Sequence, residues 1–206
     1  MATQALAVNG AKVYICGRTE EKLETVAKTY SQGISGQIIP ITADIATKDG
    51  IRKLYSEISS KEKHLDILVN NAGINTSTFQ TEAQNAEEMK KNLFDHDEAT
   101  FEDWNTVYQT NVSQIYFMST AFLPLLQKST DNQQSWSGTV INITSISGSV
   151  KVMQHHAQYN ASKAAAIHVN RMLANTVQEN GLKIRINSIA PGQYHQRLSS
   201  IQLLTR

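Results

Sequence analysis

A single cysteine, Cys16, excludes an internal disulfide and points to a reducing compartment, the cytoplasm. Lysine and arginine together number 19 against 18 acidic residues, a net charge of +1. With the basic residues scattered, neither nucleic acid nor an anionic membrane is the expected partner. No apolar run approaches the length of a membrane span, and the N-terminus lacks the basic and apolar regions of a secretory signal. Only ten glycines occur, and nowhere do they form G-x-x-x-G-x-G. The chain therefore has no such glycine-rich loop to cradle a pyrophosphate at a helix N-terminus.

What is present is regular alternation. Ala2 to Val8 suits the end of a helix, with Asn9-Gly10 as a left-handed stop. Residues 11–16 (AKVYIC), 37–43 (QIIPITA), 65–70 (LDILVN), 138–144 (GTVINIT) and 183–189 (KIRINSI) read as strands. Between them, Leu23, Val26, Ala27 and Tyr30, then Ile51, Leu54, Tyr55 and Ile58, recur at helical spacing. Thr19 is placed to cap the first of these helices. A polar, acidic stretch near 75–100 reads as a surface loop or a short loose helix. A long helix is expected over 102–126, with Trp104, Val107, Tyr108, Val112 and Ile115 on its buried face. An alanine-rich helix follows over 159–180. Alternating strands and helices, with near-continuous apolar strands, imply a parallel sheet covered by helices on both faces. Residues 1–206 are read as one α/β domain. In such sheets ligands bind beyond the carboxyl ends of the strands.

The residues able to carry chemistry cluster there. Tyr159 and Lys163 are four apart and share a helix face. An ammonium beside a phenol favours the phenolate and brings the tyrosine toward proton transfer near neutrality. The bland alternative is a core tyrosine with a snorkelling lysine. Ser145 follows a strand and precedes that helix, with Ser147 and Ser149 as rivals. Asn111 is a buried-stripe amide that must find partners, either a backbone carbonyl and a water behind Lys163 or a purely structural contact. Asn70-Asn71-Ala72-Gly73 ends a strand with small residues that let a ligand lie against the backbone. His155-His156 lacks a carboxylate or cysteine at matching spacing, so no metal site is expected.

NNAG at 70–73, Asn111 in QTNVSQIYF, INITSISG at 141–148, YNASK at 159–163 and RINSIAPG at 185–192 occur in this order. Together they resemble the short-chain dehydrogenase/reductase family in its form of roughly 250 residues, a range typical of one such α/β domain. The segment around Tyr159 loosely resembles 3-oxoacyl-carrier-protein reductases. The resemblance implies a Rossmann-like, doubly wound sheet and hydride transfer between a nicotinamide and a carbonyl or alcohol substrate. It implies Tyr159 as general acid/base, Lys163 as its partner and ribose contact, Ser145 as the group polarising the substrate carbonyl, and Asn111 as holder of a water in the proton relay. By the same resemblance Pro191-Gly192 contacts the carboxamide, Asp44-Ile45 flanks the adenine, and Asn71, Ala72 and Gly73 line the adenosine side. A homodimer or homotetramer is implied. Ser145 and Tyr159 stand one residue further apart than is usual in the family, and the stretch from Asn71 to Asn111 is longer than usual by about 15 residues.

Where NAD enzymes place a carboxylate for the ribose 2′-OH, this chain has Cys16-Gly17-Arg18. Arg18 suits a 2′-phosphate, so NADP(H) is expected over NAD(H), with a surface arginine as the alternative. The family's first strand and its glycine-rich loop should precede MATQALAVNG, and the chain also reads as short at its C-terminus. The expectation is a chain truncated at both ends. A missing central strand forfeits roughly 10 kcal/mol of apolar burial, close to the whole stability of a domain, about 5–15 kcal/mol. Expressed alone, the chain is expected to fold marginally and bind NADPH poorly. The alternative function is a cofactor-deficient family member with no activity, or with a binding or oligomerising role.

Overall fold

The computed structural model describes residues 2–192. They divide into two compact units, one ending at Glu62 and the other beginning at Lys63.

In the first unit, helix α1 (Ala2–Val8) leads to strand β1 (Lys12–Gly17), helix α2 (Glu20–Tyr30), strand β2 (Gln37–Thr42) and helix α3 (Lys48–Lys61). Gly10 takes φ 93°, and its N–H donates to the Ala7 carbonyl at 3.1 Å, which closes α1 as Asn9-Gly10 foretells. β1 and β2 run parallel from Lys12↔Gln37 to Gly17↔Thr42. Pro40 is tolerated because β2 is an edge strand of this two-stranded sheet. Ala7, Ile15, Leu23, Ala27 and Ile38 form one core cluster, and Ile41, Ile51, Leu54 and Ile58 are buried as well. Thr19 occupies the N-cap position of α2, but its hydroxyl accepts no capping bond. Glu20 and Glu21 supply the favourable charge at that end instead. Thr47, by contrast, caps α3 through its side chain, accepting from the Gly50 N–H at 3.0 Å.

The second unit holds strand β3 (Ile67–Asn70), helices α4 (Ala86–Leu93), α5 (Phe101–Tyr108) and α6 (Gln114–Asn132), strand β4 (Thr139–Ile143), helix α7 (Ala157–Glu179) and strand β5 (Arg185–Ile189). The strands are parallel in the order β3-β4-β5. Phe122, Ile115, Leu125, Leu126, Val107 and Val140 are the largest fully buried apolar side chains. The acidic stretch contains α4, started by Asn85, whose side chain accepts from the Glu88 N–H.

The long helix expected over 102–126 runs without a gap over 101–132, but it is not regular. A π-helical turn, Gln109–Ser113, separates α5 from α6. It adds about one residue to a helical turn and shifts the phase of the two stripes on either side. Trp104, expected in the buried face, is 39% exposed and stacks on Tyr108 at 6.3 Å between ring centroids. The ring shields itself a turn further along its own helix.

The alternation of parallel strands and helices is the expected Rossmann-like α/β class. Among the described residues, β1 and β3 each pair along one side only. No described helix is long and apolar enough to cross a membrane.

Candidate active site

The parallel register brings three strand ends of the second unit to one edge, since Asn70 pairs with Asn142 and Asn142 with Ser188. Asn71, Ala72 and Gly73 follow β3, Ser145 follows β4, and Pro191-Gly192 follow β5. The loops there are tied to each other. Thr144 N–H donates to the Ile189 carbonyl at 2.8 Å, and Ile146 N–H donates to the Pro191 carbonyl at 3.0 Å. Behind this edge lies a buried amide chain. Asn70 Nδ2 donates to Ser119 Oγ (3.0 Å) and to Asn142 Oδ1 (2.8 Å), and Asn142 Nδ2 donates to Asn170 Oδ1 (2.8 Å). One sheet face is thereby fixed to both α6 and α7.

Tyr159 and Lys163 sit on the first turns of α7. Lys163 is 4% exposed, and its Nζ donates to the Ile143 carbonyl at 3.0 Å. The same Nζ lies 5.6 Å from the centroid of the Tyr159 ring, within range of a cation–π attraction. Burial pushes the Lys163 amine down to about 8. Ser145 is buried and starts a 3₁₀ turn, Ile146–Gly148, where its Oγ accepts from the Ser147 N–H at 3.1 Å. The Ser145 hydroxyl hydrogen is left to donate elsewhere. Ser147 contributes its backbone to that turn, and Ser149 is exposed.

Asn111 is wholly buried inside the π turn. Its Oδ1 accepts from the Ile74 N–H at 2.8 Å, and its Nδ2 donates to the Ile74 carbonyl at 2.9 Å and to Ser162 Oγ at 3.0 Å. Ser162 Oγ in turn donates to the Tyr159 carbonyl at 2.7 Å. The side chain thus clasps backbone on one side and α7 on the other. A backbone carbonyl was among the partners expected of it. The water expected of the side chain finds both of its amide hydrogens already directed at protein oxygens.

Gly73 faces this cluster. A Cβ there would come within 3.3 Å of Asn111 Oδ1 and 3.4 Å of Lys163 Nζ. The small residue keeps its backbone close to an ammonium and an amide. Arg18, Asp44 and Ile45 belong to the first unit. Arg18 is exposed directly after β1, and Asp44 and Ile45 follow β2. Asp44 Oδ1 accepts from the Ala46 N–H at 3.1 Å, a local turn that leaves its carboxylate exposed.

The sequence did not single out Ser162, Gln158 or His155 as site supports. Gln158 is fully buried beside Tyr159, with Nε2 donating to the Ser77 carbonyl at 2.6 Å. His155 meets the Phe79 carbonyl through Nδ1 at 3.1 Å. Gln154 (φ 55°) and His155 (φ 63°) are left-handed without being glycine, a strain of order 1–3 kcal/mol each that gathers at functional sites. A fully buried polar residue beside the motif tyrosine was the available signal for Gln158. Each of the three has a partner far away in sequence. Among the described residues no group of three or more histidine, cysteine, aspartate or glutamate side chains is placed to hold a metal.

A family model described as short chain dehydrogenase matches residues 1–200. A short-chain dehydrogenase/reductase of Diaporthe leptostromiformis, PhomF′, is 33% identical over 97% of this chain and 67% of its own length. The rhamnolipids biosynthesis 3-oxoacyl-[acyl-carrier-protein] reductase of Pseudomonas aeruginosa is 31% identical over 97% of this chain and 69% of that protein. The solved Pseudomonas aeruginosa RhlG/NADP active-site complex aligns with a TM-score of 0.74 at 31% identity, covering 95% of this chain and 66% of that one. The chain spans about two thirds of the length of the proteins it matches. Motif order, strand-end geometry and relatives agree, and the chain belongs to the short-chain dehydrogenase/reductase family.

Proposed function

We propose that the protein is an NADP(H)-dependent oxidoreductase interconverting a ketone, of the 3-oxoacyl kind, and its alcohol, with residues 1–206 serving as one dinucleotide-binding domain. The observation that carries this reading is the buried Lys163 amine, held against the Ile143 carbonyl and 5.6 Å from the Tyr159 ring centroid. Beside this buried cation, Tyr159 is the side chain suited to exchange a proton with an alcohol oxygen. In the reductive direction the Tyr159 hydroxyl gives its proton to the carbonyl oxygen as that oxygen becomes an alkoxide. Ser145 donates a second hydrogen bond to the same oxygen and stabilises the developing charge. The dinucleotide, when bound, supplies or accepts the hydride at the carbonyl carbon. Lys163 has three donors, of which one meets Ile143, so the others suit the ribose hydroxyls. Asn111 holds Ile74, and so the NNAG backbone, against α7, and would hold the relay water that the resemblance implies.

Asn71, Ala72 and Gly73 would line the dinucleotide, Pro191-Gly192 its carboxamide, and Asp44-Ile45 its adenine. Arg18 would meet a 2′-phosphate, as supported by the NADP-bound relative at 31% identity. The test uses Tyr159→Phe in the protein carrying this sequence, with ethyl 3-oxobutanoate as substrate. Turnover falls by about 10³-fold or more, while the NADPH Kd stays within about twofold and remains tighter than that for NADH. Near-normal turnover removes the acid/base assignment, and a preference for NADH removes the role of Arg18. Neither binding nor turnover in the unmutated protein leaves a family member that acts by binding or association alone.

A further inference from the structure

The loop entering α7 reverses on Gln154 and His155, both with positive φ, and closes when the His156 N–H donates to the Met153 carbonyl at 3.2 Å. Two successive left-handed residues make a type I′-like turn, which asparagine and glycine adopt more readily than residues with larger side chains. Something outside the turn must hold it.

That support comes from the inserted stretch after β3. The Phe79 N–H donates to the His155 carbonyl at 2.7 Å, and His155 Nδ1 returns to the Phe79 carbonyl at 3.1 Å. A carbonyl only accepts, so the Phe79 contact is a bond when Nδ1 carries the proton; Thr81 Oγ1, 3.4 Å from the same nitrogen, then faces it as a second acceptor. The two residues exchange a reciprocal pair of bonds, as in a strand ladder, with an imidazole replacing one backbone N–H. Phe79 is buried and meets the His96 ring edge-on at 5.1 Å, which anchors the latch within the insertion. On the helix side, the residues flanking Tyr159 are both tied in. Gln158 Nε2 donates to the Ser77 carbonyl, and Asn160 Nδ2 donates to the carbonyls of Val152 (3.0 Å) and Met153 (2.9 Å). The His156 ring touches the Tyr159 ring edge-on at 5.2 Å.

We infer that His155 is a positioning residue for the reaction: by latching the strained turn to Phe79, it fixes the first turn of α7 and the direction in which Tyr159 presents its phenol. This rests on the reading of Tyr159 as the proton donor. The latch differs from a general structural prop because the turn it holds leads directly into the residues that flank and touch the tyrosine, His156 and Gln158.

Three replacements separate strain from bond. His155→Gly accepts the positive φ but drops the imidazole bond. His155→Asn accepts it and offers Nδ2 to the Phe79 carbonyl. His155→Ala loses both. In the protein carrying this sequence, the glycine and alanine variants should lose about tenfold in kcat on ethyl 3-oxobutanoate, equivalent to about 1.4 kcal/mol. Their NADPH Kd should stay within about twofold, and the asparagine variant should keep kcat within about threefold. Amide exchange at His156–Gln158, read without turnover, should quicken in glycine and alanine but not in asparagine. Wild-type kcat and exchange in the glycine variant, or equal losses in glycine and asparagine, would overturn the inference, as would a parallel loss of NADPH affinity. If the alanine variant does not fold, the asparagine–glycine pair decides. Tyr159→Phe measured alongside separates the two ideas. Turnover retained there defeats the acid/base reading, while the exchange rates still judge the latch.

Discussion

Lys163 meets a carbonyl where a buried ammonium would gain most from a carboxylate. Burial therefore lowers its pKa from 10.5 to about 8. Below about pH 8 both folded and unfolded chains hold the proton, and the full penalty is present. Between about 8 and 10.5 the unfolded chain binds more protons than the folded one, so stability rises with pH. The span corresponds to on the order of 3 kcal/mol. Cys16 and Tyr14 act with the opposite sign. Burial raises the Cys16 thiol, and burial followed by Glu62 raises Tyr14 to about 12. Both favour the folded state less as pH climbs. They cancel when wild type is compared with Lys163→Met. Urea unfolding from pH 7 to 10.5 should show wild-type stability gaining on the mutant by that order, and a flat difference would mean the amine stays hydrated. At this scale the sequence announced the tyrosine–lysine pair through its spacing of one helical turn. It was silent on the Ile143 carbonyl, because that partner belongs to a strand 20 residues away.

Among the elements, the closest approach at the site is between the 3₁₀ turn and α7. A Cβ on Gly148 would stand 2.6 Å from the Lys163 backbone carbon and 2.7 Å from the Ala164 nitrogen. Backbone cannot swing aside as a flexible side chain can. Gly148→Ala must part the turn bearing Ser145 from the helix bearing Tyr159 and Lys163. The expected cost is about 1–3 kcal/mol in stability, read from urea curves, with a loss of kcat/KM of about tenfold or more. Unchanged kinetics would show that the two elements need no such contact. Most helix and strand positions were legible because their signals are local: an apolar stripe, a glycine stop, acidic first turns. The π turn was not. Its residues QTNVS contain no proline or glycine, and its shape accompanies bonds from Asn111 to Ile74, 37 residues earlier. The same non-local cause hid the turn at Gln154-His155, which carries neither glycine nor asparagine.

Across the molecule, the two units differ in how much apolar material they bury. The first buries Ala7, Ile15, Leu23, Ala27, Ile38, Ile41, Ile51, Leu54 and Ile58, all aliphatic, while the second, the longer unit, adds the larger Phe79, Met118 and Phe122 to Val107, Ile115, Leu125, Leu126 and Val140. Smaller cores give lower local stability. The chain carries its own reporters, because Cys16 lies in β1 and both tryptophans, Trp104 and Trp136, lie in the second unit. Thiol labelling of Cys16 should therefore reach its midpoint at a lower urea concentration than the change in tryptophan fluorescence. Coincident midpoints would show one cooperative structure. The parallel α/β class could be read from the order of elements. The division into two sheets follows from which strands find neighbours, a property of pairing and not of any one segment.

The π turn at Gln109–Ser113 is, in effect, one residue more than a regular helix requires. A chain selected only for durability would shed it, since the uninterrupted helix has the better backbone geometry. Under the proposed reading of the site, thermal robustness and catalytic competence would pull in opposite directions here, because the turn sets Asn111 against Ile74 and Ser162. Searches for hardier variants of this protein will be drawn to that segment, and the variants they favour there will be sturdier proteins that loosen the clasp of Asn111 on Ile74 and Ser162.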